Sequence, residues 1–456
     1  LFCHKKLVSC SLFIDITDVG KINSFTMGKK LKRSFTRVHI FGAGLAGLSA
    51  AVYCLQRGFE IRVYEAANHA GGRCRSFHDS ILDCLIDNGN HLILGGNRGI
   101  FDYLRLIGGD RGLQAAPNAF PFIDLKNAER WTLQPGNVKL PFWIFLPHRR
   151  IPGTHIKDYL VLKKLAAASP NSTLTNHVDP NSTMFKRFWE PLSNAVLNTD
   201  AREGSARLLG KMLELTLLRG PAFAQPFLTP KGLSAALVDP AIKYLAEHKC
   251  SITFGARVRS ISFSDSQVEN YIVGNEVVTC RKNDHIILAL PPNEIAALVP
   301  EVTIPTKYHP IVNIHFKPNR LCLLPNDVPF IGIINGMCQW VFRKNNLLSV
   351  TISNAKDLVE QEANILARQA WQEIATIIPE KVIPLPPYRV LKERRATISQ
   401  TPAQDILRPN SYTKWENLHL AGDWINTGLP ATIESAVQSG QNAAETVEKS
   451  QIKKFP

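Results

Sequence analysis

Arg37-Val38-His39-Ile40-Phe41-Gly42-Ala43-Gly44-Leu45-Ala46-Gly47 begins the stretch that decides the fold, and Glu65 ends it. Arg37–Phe41 is a short apolar run stopped by a glycine, the pattern of a buried strand. Leu45–Gln56, rich in alanine and leucine, reads as the helix that this strand feeds. Glu60–Tyr64 reads as a second strand, with Glu65 at its end, 18 residues beyond Gly47. Gly42 permits the tight turn, and Gly44 lets the backbone approach a pyrophosphate. Gly47 lets the helix pack against the strand, while Leu45 and Ala46 open a helix N-terminus that faces the anion. A carboxylate at the place of Glu65 holds a ribose diol, which a glycine-rich turn in an ordinary α/β unit does not require. A dinucleotide site is expected here.

Two further segments bear on which dinucleotide. Gly71-Gly72-Arg73-Cys74-Arg75 follows the acid closely, and paired glycines with arginines close over phosphate oxygens. Near the other end, Leu418-His419-Leu420-Ala421-Gly422-Asp423-Trp424 reads as a short buried strand running into Gly-Asp. Thr427-Gly428-Leu429-Pro430-Ala431-Thr432-Ile433-Glu434 then opens a helix expected to reach about Val447, with Pro430 in its first turn.

Together these three segments resemble the flavin-containing amine oxidase and carotenoid desaturase superfamily. The resemblance implies an α/β fold: a Rossmann-type FAD-binding domain interleaved with an α+β substrate domain. It implies that Gly42, Gly44, Leu45, Ala46, Gly47 and Glu65 hold the ADP half of FAD, with Gly72 and Arg73 beside the pyrophosphate. Gly422 and Asp423 would hold the ribitol phosphate. Pro430, Ala431 and Thr432 would present the last helix to the flavin, and Val258, in Gly255-Ala256-Arg257-Val258-Arg259-Ser260-Ile261, would touch the adenine. Asp87-Asn88-Gly89-Asn90-His91, Phe188-Trp189-Glu190-Pro191-Leu192, Asn198-Thr199, Pro230-Lys231-Gly232-Leu233-Ser234 and Gly422-Asp423-Trp424 are similar, more narrowly, to the hydroxysqualene dehydroxylase family. That likeness runs from about Arg37 to Glu445 and implies hydroxysqualene as substrate, in squalene and hopanoid biosynthesis. It also implies an electron donor to the flavin, whose identity the sequence does not carry.

Composition bounds these readings. The chain has 456 residues, 45% of them hydrophobic and 20% charged, as in a globular protein long enough for two lobes. Its nine cysteines form no C-x-x-C pair, so neither zinc nor a disulfide framework is indicated, and no metal site is expected. Reduced thiols fit a cytoplasmic protein. No cysteine follows Cys338, so the C-terminal region supplies no thioether to a flavin, and FAD is expected to be non-covalent.

The net charge of +15 is compatible with nucleic acid, an anionic membrane surface or a plain basic surface. No nucleic-acid motif accompanies it, and a bilayer-confined substrate favours peripheral contact with the inner face of the cytoplasmic membrane. Leu140–Pro147 is too short and too proline-bounded to span a membrane. It reads as a greasy surface patch, a lid or a buried segment. Residues 1–36 are expected to form a disordered extension, and residues 1–26 do not resemble a secretory signal.

The expected FAD-binding domain comprises 37–100, 226–302 and 406–450, and the substrate domain 101–225 and 303–405. Helical periodicity is clearest at 187–197 and 204–218, and 232–247 and 355–378 also read as helices. If the substrate is an allylic alcohol, the protein must protonate the departing hydroxyl, exclude water and stabilise positive charge. Aromatic faces suit the last task, and Phe142, Trp143, Trp189, Phe227, Trp340 and Phe342 are available beside the alternative of plain core packing. His91 and Asp87 are the candidates for the acid, against turn capping by Asp87 and a structural histidine at 91. Trp424 is expected to shape the pocket, and Glu434 to bond back to the glycine-rich loops. Three readings stay open: a reductive dehydroxylase, an oxidative desaturase or amine oxidase, and a non-catalytic prenyl binder, which would have no use for Gly422-Asp423.

Overall fold

Val38, Ile40 and Phe41 are almost wholly buried because Arg37–Phe41 is the middle strand of a five-stranded parallel sheet. The order across that sheet is Ile252–Thr253, Glu60–Tyr64, Arg37–Phe41, Asp284–Leu288, Leu418–Leu420. Asp284–Leu288 is buried at every position, as a strand covered on both faces must be. The computed structural model describes residues 36–135, 142–379 and 384–453. Residues 1–35 of the expected extension lie outside these, as do Leu140, Pro141 and the side chains of Phe142 and Trp143.

The first strand, first helix and second strand have the bounds read from sequence: Arg37–Phe41, Leu45–Gln56 and Glu60–Tyr64. The helix packs against the closing helix, Ile433–Lys453, where Gly440 permits backbone contact. A Cβ at Gly440 would lie 2.3 Å from the Ala46 carbonyl oxygen. The closing helix begins later than expected. Pro430 precedes it, and Thr432 caps it, its hydroxyl accepting from Ser435 N at 3.5 Å. It also runs six residues past Val447.

A second, seven-stranded sheet has the order Tyr388–Ile398, Tyr308–Phe316, Leu347–Ile352, Trp340–Lys344, Phe330–Ile334, Phe120–Asp124, Glu129–Leu133. Its neighbours pair antiparallel except Phe330–Ile334 with Phe120–Asp124. Helix Ala363–Ile377 covers one face, burying Leu366, Ala370, Trp371 and Ile374. This helix is shorter than the 355–378 read from sequence. Residues 355–361 form turns instead, with Ala355 N donating to Pro310 O and Lys392 Nζ to Gln361 O. A helical layer that includes Glu190–Leu197 and Ala206–Leu215 packs with Phe122, Trp131 and Ile334. Among the described residues no helix is long and apolar enough to cross a membrane.

Candidate functional site

The carboxyl ends of the parallel strands open on a cavity of about 570 Å³, a size usual for a small-molecule site. Backbone fit explains the glycines around it. Gly42 has φ +99°, and a Cβ there would lie 2.4 Å from Ala289 O. Gly47 sits so close to the preceding turn that a Cβ would lie 1.8 Å from Gly42 O. Gly44 has open space where a Cβ would be, and it pairs with Gly71 as Gly71 N donates to Ala43 O at 2.8 Å. Gly72 lies across from Gly44. Two glycine segments thus clasp over an uncapped helix N-terminus, whose first amides have no partner within the helix. Glu65 accepts from Ala43 N at 2.7 Å and Ala67 N at 2.9 Å, which fixes its carboxylate beside that cradle.

Opposite, Arg73 Nη2 meets Asp423 Oδ1 at 2.6 Å. Asp423 is presented by a turn that a buried arginine organises. Arg408 donates from Nε to Trp424 O (3.2 Å), from Nη1 to Leu429 O (2.7 Å) and Asp405 Oδ1 (3.3 Å), and from Nη2 to Asp423 O (3.0 Å) and Ile425 O (2.6 Å). All five guanidinium N–H groups therefore have partners. Gln400 adds a second brace, its Oε1 accepting from Ala431 N at 2.7 Å and its Nε2 donating to Leu197 O at 2.7 Å.

The cavity lining contains Gly42, Gly44, Leu45, Ala46, Glu65, Gly72, Arg73, Val258, Gly422, Asp423, Ala431 and Thr432. Gly47 and Pro430 are not in it, and Gly47 acts through packing beneath the loop. Trp424 lines the cavity and donates Nε1 to Leu290 O at 2.9 Å. Glu434 does not reach the glycine loops. Its carboxylate accepts from Gly99 N (2.8 Å) and Ile100 N (2.9 Å), capping helix Arg98–Ile107, and burial pushes its pKa up.

The two acid candidates part company. His91 lines the cavity. Protein crowding around it pulls its pKa down to about 4, the Asp87 charge opposing the burial and Arg73 reinforcing it. The residue is exposed at the open cavity, where solvent moderates the depression. Asp87 is buried and outside the lining. It accepts from Lys344 Nζ (2.9 Å), Leu233 N (2.8 Å) and Ser76 Oγ (2.5 Å), so it ties the His91 turn to two distant segments. Trp189, Phe227, Trp340 and Phe342 are likewise not in the lining; Trp189 is core, Phe227 packs on Phe101, and Trp340 and Phe342 cluster with Phe330.

A match to the flavin containing amine oxidoreductase family spans residues 45–448. The hydroxysqualene dehydroxylase of Rhodopseudomonas palustris is 42% identical, covering 90% of this chain and 98% of that protein. That of Sinorhizobium fredii is 40% identical over 90% and 97%. This chain belongs to the flavin-containing amine oxidoreductases, in the hydroxysqualene dehydroxylase branch. It is a flavin-dependent oxidoreductase. The fold agrees: cyclohexylamine oxidase from Brevibacterium oxydans superposes with a TM-score of 0.62 over 92% of this chain and all of that one, at 16% identity.

For a member of this branch, the lining holds one feature that sequence reading missed. Asn90 Nδ2 donates to Thr351 Oγ1 (3.0 Å), Thr351 Oγ1 to Asn313 Oδ1 (2.8 Å), and Asn313 Nδ2 to Asn88 O (3.2 Å). This polar chain assembles from three separate segments, which no local pattern joins. Asn198-Thr199, quoted above as motif, is a structural corner: Asn198 has φ +47° and donates to His309 O and Thr397 Oγ1, each at 3.0 Å.

Proposed function

We propose that this chain binds FAD non-covalently and reductively removes the allylic hydroxyl of hydroxysqualene to give squalene, within squalene and hopanoid synthesis. The observation that carries the reading is 42% identity along almost the whole length of a hydroxysqualene dehydroxylase. The cavity chemistry supports FAD. Glu65 suits the ribose diol, and the Leu45 and Ala46 amides with Gly72 and Arg73 suit the pyrophosphate. Val258 offers an apolar contact for adenine, the Gly422-Asp423 turn a place for the ribitol phosphate, and Ala431 and Thr432 a helix entrance for the flavin carbonyl. Cys74 is the cysteine in the lining, and burial pushes its thiol up to about 12, which keeps it protonated and unreactive toward a covalent link. FAD would belong to 37–100, 226–302 and 406–450, and the substrate to 101–225 and 303–405. Tyr308, Asn313, Thr351 and Arg395 bring the latter group to the same cavity.

The reaction adds a proton to the hydroxyl, breaks the C–O bond with its electron pair leaving as water, and adds a hydride at the allylic carbon. When bound and reduced, the flavin supplies that hydride. His91 is the residue placed to deliver the proton. An imidazolium with a pKa near 4 gives up its proton readily, at the cost of a small protonated fraction at neutral pH. Asp87 acts behind it, its charge raising the affinity of His91 for the proton and its hydrogen bonds fixing the turn. Asn90 orients the hydroxyl.

Reduced, flavin-replete protein should convert hydroxysqualene to squalene, and the same protein with its flavin oxidised should leave a polyene and a primary amine unchanged. Oxidation of either of those without squalene formation would transfer the assignment to the desaturases or the amine oxidases. Acid release of all the flavin as FAD tests the cofactor reading separately.

A further inference from the structure

Phe145, Leu146, Ile156 and Leu160 are 58, 43, 38 and 60% exposed, and all four fall between residues 145 and 160. They belong to consecutive short turns, Phe142–Phe145, Pro147–Arg149 and Ile156–Tyr159, followed by helix Val161–Ala166. The first turn packs against the other two, and the last packs against the helix, so these side chains share one region. The fold does not need them inside. Ile144, Ile151, Tyr159, Leu162 and Leu165 from the same stretch already fill the helical core beneath. Large apolar groups left outward together, with their neighbours inward, mark an interaction surface rather than imperfect packing.

Charge says what that surface meets. From Phe142 to Ala168 the chain has Arg149, Arg150, Lys157, Lys163 and Lys164 against one carboxylate, Asp158. Asp158 is committed, its Oδ2 accepting from His155 N at 2.7 Å. Lys157, Lys163 and Lys164 are exposed and have no ion pair among the described residues. Apolar side chains rimmed by unpaired lysines fit the boundary of an anionic bilayer, where acyl chains take the former and headgroup phosphates the latter. A nucleic acid would leave Phe145, Leu146, Ile156 and Leu160 without a use.

We propose that residues 142–166 dock this protein on an anionic leaflet, with Phe145, Leu146, Ile156 and Leu160 entering the interface and Lys157, Lys163 and Lys164 at the headgroups. This deepens the functional reading above, since the proposed substrate resides in the bilayer, yet its test needs no substrate. The flavin-loaded protein is sedimented with vesicles of phosphatidylglycerol and phosphatidylcholine, and with phosphatidylcholine alone, at low and high salt. Binding is expected with the anionic vesicles and loss of it in high salt. Lys157→Gln, Lys163→Gln and Lys164→Gln together should weaken it on the order of a hundredfold, at about fivefold per lysine. Phe145→Ser with Leu160→Ser should weaken it about tenfold or more by removing apolar insertion. Val277→Ser, at an equally exposed residue of strand Glu276–Thr279, should leave it unchanged.

Absence of wild-type binding to the anionic vesicles overturns the proposal, as does equal binding to neutral ones. Patch variants that keep full flavin and bind like wild type overturn it too. Failure to make squalene from detergent-dispersed substrate by wild type and variants alike would instead remove the functional reading and leave the vesicle result standing.

Discussion

Arg408 carries the sharpest stability test of the candidate site. Its side chain is wholly buried, and its five donors satisfy Asp405 and the carbonyls of Asp423, Trp424, Ile425 and Leu429. Arg408→Met keeps the bulk and removes every donor. Asp405 retains Arg207 as partner, Asp423 O retains Ser435 Oγ at 3.2 Å and Ile425 O retains Thr427 N at 2.8 Å, so the principal loss is the donors to the Trp424 and Leu429 carbonyls. Breaking a buried charged network in this way costs about 3–5 kcal/mol, and two deprived carbonyls at about 1–3 kcal/mol each fall in the same range. If the turn must be ordered to present Asp423, about 4 kcal/mol of ordering cost weakens flavin binding by roughly a thousandfold. Arg408→Lys supplies three donors where five are used, so it should fall between wild type and Met. The assay is titration of apoprotein with FAD by flavin fluorescence, with far-ultraviolet circular dichroism to show that the sheets persist. Binding by Arg408→Met within threefold of wild type, on a folded chain, would show that the Arg408 network does not order the flavin site.

Gly47→Ala should give folded protein almost free of flavin, because its Cβ would meet Gly42 O at 1.8 Å and force the loop away from the helix; flavin absorbance per protein after purification checks it. His315, 1% exposed and bonded to Ser349 Oγ at 2.7 Å, is held by burial at a pKa of about 4, with Asp87 and Asp79 opposing and Lys344 reinforcing. The unfolded chain takes this proton near pH 6.5 and the folded one does not, so its contribution is full above that pH. About 3 kcal/mol should be lost as pH falls from 6.5 to 4, and His315→Asn should flatten that slope in denaturant titrations. Asp87→Asn removes the charge that raises the His91 pKa, so the pH–rate profile should shift to lower pH; a profile that stays in place would remove His91 as the proton carrier. Glu434→Ala should cost about 1 kcal/mol in thermal or chemical unfolding through loss of the helix cap at Gly99 and Ile100.

The parts of the fold that could be read from sequence are those whose cause is local. Arg37–Phe41, Leu45–Gln56 and Glu60–Tyr64 announce themselves because the glycine spacing, the apolar run and the acid all lie within thirty residues and answer one steric problem. Sequence reading placed the closing helix too early, since Pro430 is compatible with a first turn while the cap belongs to Thr432. The helix read from Ala355 was too long for a related reason: its first turn is held to Pro310 and Lys392, from other strands. The site divides in the same way. The glycine cradle is a set of backbone shapes, legible in the glycines themselves. Arg408, the Asn90–Thr351–Asn313 chain and the Lys344 partner of Asp87 depend on residues far apart in the chain, and no periodicity connects them.

An anaerobic single turnover follows the hydride from the reduced flavin to the allylic carbon that loses its hydroxyl. Flavin-replete protein is reduced chemically and mixed with hydroxysqualene, and squalene is measured by gas chromatography–mass spectrometry alongside recovery of the oxidised flavin band. One squalene should form for each flavin reoxidised. Flavin that stays reduced, with hydroxysqualene recovered intact from fully loaded protein, would contradict it.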